Sequence, residues 1–79
     1  MRLPRDLSGA ELARMLCARF GYLQVHQTGS HIILDTEEPS HHRLAILAHR
    51  SLRVGTLNSI LRAVAAHKRV PRSELLAAL

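Results

Sequence analysis

Gly29-Ser30-His31, following Gln27-Thr28 and leading into Ile32-Ile33-Leu34, sets a histidine one residue into a strand behind a two-residue turn. Held there, it faces solvent on a rigid sheet. An imidazole with an ordinary pKa of about 6.5 can give or take a proton near neutrality. RNA carries its own nucleophile in the 2′-hydroxyl. A single histidine, acting as base toward that hydroxyl or as acid toward the leaving 5′-oxygen, is therefore the least equipment needed to cut it. His49 is a candidate second proton carrier or phosphate ligand. Arg50 and Arg53, in the same basic stretch His49-Arg50-Ser51-Leu52-Arg53, are the first candidates to hold phosphates, ahead of Arg43, Arg62 and Lys68. The helix start at Gly55-Thr56 could add backbone N–H groups.

Zinc is the competing chemistry for so many histidines. His26, His31, His41, His42 and His49 show no spacing of a closed tetrahedral set, and adjacent His41 and His42 in a strand point to opposite faces. No metal and no cofactor are expected.

The elements that must position His31 follow from the pattern. Ser8 and Glu11 form a capping box, with Leu7 placed to staple onto Leu12. Leu12, Met15, Leu16 and Phe20 make one apolar stripe, and Gly21 supplies a left-handed stop. From Tyr22 to Gln27 the period becomes two, with Leu23 and Val25 on the inner face and Tyr22, Gln24 and His26 on the outer. Thr28-Gly29 reads as the turn and Ser30 to Asp35 as the return strand. Thr36 to Ser40 is a loop, and a third strand runs from about His42 to Ala48. Leu57, Ile60, Leu61, Val64 and Ala65 give a second helix from roughly Thr56 to His67. Pro71-Arg72-Ser73-Glu74 opens a short last helix with Leu75, Leu76 and Leu79 available to pack back. The expected architecture is one α+β domain over residues 1–79, in the order α-β-β-β-α with a small extra helix. Its three-stranded antiparallel sheet is covered by helices on one face.

A turn at Thr28-Gly29 would pair Gln27 with Ser30, His26 with His31, Val25 with Ile32 and Gln24 with Ile33. Cross-strand partners share a face. Burying Leu23, Val25, Ile32 and Leu34 then leaves His31, His26, Gln24 and Ile33 outside. In this register His26 stands opposite His31 and would disfavour its protonation.

The 79 residues carry eleven Lys or Arg against six Asp or Glu, a formal net charge of +5, and 47% of them are hydrophobic. That composition is a folded domain with a basic surface rather than a disordered tail, and polyanions, nucleic acid first, are its natural partners. Cys17 is the sole cysteine and reads as small core filler. Met1 to Arg5 has no apolar leader region, and the run Leu44 to Ala48 is too short to cross a bilayer, so the cytoplasm is the expected compartment. With Tyr22 and Phe20 the only aromatics, stacking on bases is poorly supplied.

The chain resembles the HicA toxin family, small mRNA interferases of type II toxin–antitoxin pairs. Gly29-Ser30-His31 before an apolar strand is similar to the family's Gly-Ser-His motif. Val54-Gly55-Thr56-Leu57-Asn58-Ser59-Ile60-Leu61 is similar to its Gly-Thr-Leu-x-x-Ile-Leu signature, and Ser8-Gly9-x-Glu11-Leu12 to its N-terminal helix start. The likeness runs from about Leu7 to Leu79. It implies a double-stranded-RNA-binding-domain-like fold, endoribonuclease activity on mRNA with His31 as the catalytic residue, and a HicB-type antitoxin docked over the active site. Gly29, Ser30, His49, Arg50 and Arg53 are the expected RNA-binding set. The chain departs from the family at His26 and Thr28, where Arg and Lys are common, and in the longer connection Thr36 to His41. The alternative expectation is a non-catalytic RNA-binding module of the same fold, and a third is a protein-interaction domain.

Overall fold

The computed structural model of the chain describes residues 6–79; Met1 to Arg5, read above as lacking a leader, lie outside them. The element order is α1 Gly9–Phe20, β1 Leu23–Thr28, β2 His31–Thr36, β3 His42–Leu47, α2 Val54–Lys68 and α3 Arg72–Ala78. The strands form one antiparallel sheet in the order β1-β2-β3. The protein is thus an α+β fold of the double-stranded-RNA-binding-domain type, with a third short helix.

Local chemistry accounts for α1. The Ser8 hydroxyl accepts from the Glu11 N–H at 3.0 Å, and the Ser8 N–H donates to the Glu11 carboxylate at 3.1 Å. Gly21 ends the helix in the left-handed region at φ 71°, where a side chain would be strained. Leu12, Leu16, Leu57, Leu61, Val64 and Leu75 from the helices bury against Ile32, Leu34, Leu44 and Ile46 of the sheet. Cys17 packs at the margin of this core, and burial pushes its thiol pKa up. α2 begins at Val54, two residues before the expected start, and α3 matches the expected terminal helix.

β1 departs from expectation. The hairpin turn is Gly29-Ser30, so Thr28 pairs with His31, Gln27 with Ile32, His26 with Ile33, Gln24 with Leu34 and Leu23 with Asp35, with a bulge between Gln24 and His26. Gly29 takes φ 53° at the first turn position, the place where a two-residue hairpin of type II′ needs a glycine. Moving the turn by one residue shifts the pairing by two, which keeps His26 on the outer face; the bulge then takes up one residue and exchanges the faces beyond it, so Gln24 lies on the helix side with Leu34. Leu23 and Val25 are 70% and 49% exposed. Tyr22, expected outside, is fully buried.

Candidate functional site

Along β2 the burial alternates: Ile32, Leu34 and Thr36 are buried toward the helices, and His31, Ile33 and Asp35 take the opposite face. His31 is exposed, as expected, and no described residue hydrogen-bonds or ion-pairs with its ring. His26 shares that open face but stands opposite Ile33. The expected His26–His31 pair, and the electrostatic tuning built on it, is replaced by Thr28–His31.

His31 pairs on its other side with Leu47, the last residue of β3. The Ala48 N–H donates to the Ser30 carbonyl at 2.6 Å, so the motif's serine backbone holds the exit of β3. Two further backbone bonds fix the loop that follows. The Gly9 N–H donates to the His49 carbonyl at 2.9 Å, and the Leu52 N–H to the Leu7 carbonyl at 2.8 Å, with Leu52 buried. A Cβ on Gly9 would collide with the Leu47 carbonyl oxygen, so this close approach of α1 to the end of β3 requires glycine. Sequence reading assigned this helix start to the Ser8–Glu11 box and the Leu7–Leu12 staple and gave Gly9 no role of its own; that glycine is what lets α1 brace the loop.

The braced loop carries His49, Arg50 and Arg53, all exposed. His49 and Arg53 line one concavity of about 300 Å³ with Leu47, Leu52 and Thr56; Gly29, Ser30, His31 and Arg50 lie outside its lining. Arg53 is also the residue from which α2 starts, and no side chain caps that helix. The positive end of the helix dipole therefore adds to the arginine charge. One end of the sheet thus combines an exposed imidazole on a rigid strand with a fixed basic loop, an arrangement able to hold a phosphodiester and move a proton beside it.

Two expected phosphate contacts are engaged elsewhere. Arg43 binds Asp35 with both prongs, Nε to Oδ1 at 2.8 Å and Nη2 to Oδ2 at 3.0 Å. That guanidinium holds the Asp35 carboxyl down to a pKa of about 2, with His41 at 3.3 Å assisting. The Lys68 ammonium donates to Thr36 Oγ1 at 2.9 Å and to the Glu38 carbonyl at 2.6 Å, and lies 5.0 Å from the Tyr22 ring centre.

Lys68 belongs to a closed polar cluster that sequence reading missed. The Tyr22 hydroxyl and His42 Nδ1 are 2.8 Å apart, the His42 ring stacks on His67 at 4.4 Å, and His67 Nε2 donates to the Ser40 carbonyl at 2.9 Å. Burial drives the Tyr22 pKa up to about 12. It drives that of His42 down, helped by the charges of His67, His41 and Lys68. The available signal was the tyrosine itself, whose large apolar ring favours burial while its hydroxyl then needs a partner.

The histidines are split among these regions, so the five weighed as zinc ligands are not brought together. Among the described residues no group of three or more His, Cys, Asp or Glu could hold a metal ion. Nor is any helix there long and apolar enough to cross a membrane. No family model, no curated protein and no solved structure matches the chain.

Proposed function

We propose that the chain is a toxin endoribonuclease of the HicA type, acting on mRNA in the cytoplasm and held in check by a HicB-type antitoxin. The observation that carries this reading is the position of His31: exposed, at the start of a strand, beside the braced loop of His49, Arg50 and Arg53. In the mechanism, His31 assists attack of the 2′-hydroxyl on the adjacent phosphate, as base toward that hydroxyl or as acid toward the departing 5′-oxygen. Arg50 and Arg53 hold the backbone and offset charge gathering on the phosphate. Gly29 and Ser30 shape the turn that presents the ring. The products of this chemistry are a 2′,3′-cyclic phosphate and a 5′-hydroxyl; a 5′-phosphate end would contradict it.

One observation favours the non-catalytic alternative. No described residue orients the His31 ring, so substrate itself must fix its tautomer. Induced expression of the chain beside His31→Ala, matched for folding and abundance, separates the two. Growth arrest with mRNA fragmentation that vanishes in the variant supports the ribonuclease. Intact RNA that is still bound by both chains would hand the function to the binding module.

A further inference from the structure

The open sheet face has a second end with the opposite character. Leu23 and Val25, two of the three large exposed hydrophobic side chains among the described residues, line a concavity of about 350 Å³ with Gly21, Asp35, Thr36, Glu37 and Glu38. Leu23 and Val25, two residues apart on β1, share one face, and the bulge that follows Gln24 turns that face outward over this hollow. The chain has only six carboxylate side chains against eleven cationic ones, yet three of the six border it. The Asp35 carboxylate is taken by Arg43. That of Glu37 is 77% exposed with only His41 at 3.9 Å, and no salt bridge among the described residues takes that of Glu38.

From this we infer that the Leu23–Val25 hollow docks a protein segment in which apolar side chains alternate with lysine or arginine. The apolar floor supplies contact area, and the Glu37 and Glu38 carboxylates select a cationic flank. Arg43 offsets Asp35 and the Lys68 ammonium lies on Thr36 and the Glu38 carbonyl, but the Glu37 and Glu38 carboxylates still make this end less favourable to a nucleic acid than the basic loop. β1 is an edge strand, so outer backbone groups at its Leu23–Val25 end can extend the pairing to the incoming segment. His31 and Asp35 lie four residues apart on β2, roughly 13 Å at strand rise, so a segment here leaves His31 open. The inference is independent of the ribonuclease reading.

The test is an NMR titration of the ¹⁵N-labelled full chain, at low ionic strength, with a ten-residue peptide alternating lysine and valine. The control peptide has glutamate in place of lysine. Expected are amide shifts confined to residues 21–25 and 35–38, absent from 29–31 and 48–53, and given by the basic peptide alone. The double variant Glu37→Lys, Glu38→Lys weakens binding about tenfold, Leu23→Ser with Val25→Ser abolishes it, and His31→Ala leaves it unchanged. All three variants alter exposed side chains and are checked for an unchanged Tm. Equal binding of the acidic peptide, shifts centred elsewhere, or no shift at millimolar peptide would overturn the inference. So would concentration-dependent dimerisation lost in the Leu23→Ser, Val25→Ser variant, because the face would then belong to a second copy.

Discussion

His31 and His42 sit on adjacent strands of one small sheet and have opposite surroundings. His42 faces the helices, with Tyr22 at hydrogen-bond distance, His67 stacked on it and Lys68 nearby. His31 faces outward with no side-chain partner among the described residues, next to a loop whose arginines are likewise exposed. Residue type therefore says little about use; the state of the partners separates a structural imidazole from one available to a substrate. In the closed cluster the described polar groups find partners inside the protein. At the open end the backbone is pinned while the His31, Arg50 and Arg53 side chains are exposed, which is the division of labour a binding or catalytic site needs.

The contrast can be broken from either side. The largest effect on stability should come from Gly9→Ala, whose methyl group meets the Leu47 carbonyl. We expect a loss of about 1–3 kcal/mol in urea unfolding, with faster hydrogen exchange at Ala48 and Leu52 as the brace loosens. Tyr22→Phe should cost about 1–2 kcal/mol, because His42 Nδ1 loses its partner in a partly buried setting, while RNA binding at the other end stays unchanged.

The closed cluster also sets a pH window. The folded-state pKa of His42 is lowered from an ordinary value of 6.5, so below that value the unfolded chain takes up the proton more readily. The stability this group contributes is present above about pH 6.5 and is lost as pH falls through the folded pKa. Tyr22 has a folded pKa raised from 10.0 to about 12, so its contribution is complete below pH 10 and is lost as pH rises toward 12. Thermal unfolding followed across pH should show a plateau between these limits, and His42→Phe should flatten its acid side. The smallest effect belongs to the loop. Arg50→Gln and Arg53→Gln should leave Tm unchanged and make the salt dependence of RNA binding shallower by about 0.7 per lost phosphate contact.

How much of this was legible in the sequence varied with how local the determining interaction is. The capping box of α1, its glycine stop and the apolar stripe of α2 are set by residues three or four apart, and all are present in the structure. The outward orientation of His31 was reached through a β1 register that the structure replaces; it holds because Ile32 and Leu34 on its own strand are buried. β1 itself was misread because it is an edge strand exposed along its whole length, so its alternating Leu23 and Val25 carry no information about the core. The turn was ambiguous by one residue until Gly29 proved to be its first member. The Tyr22–His42 and Lys68–Thr36 bonds join residues 20 and 32 apart in the chain, which no local pattern announces. Gly9 acts through a backbone oxygen of β3, equally invisible to spacing.

The central claim is that the free imidazole, and not the partnered one, does chemistry. Its most direct test is cleavage of an mRNA transcript in EDTA by purified chain, His31→Ala and His42→Ala, with each rate corrected for the folded fraction. The account predicts that His31→Ala keeps its Tm and loses about 10²- to 10⁴-fold in rate, while His42→Ala melts earlier and cleaves at an undiminished rate per folded molecule. Cleavage by His31→Ala at the wild-type rate, or loss of activity only in His42→Ala, would contradict it.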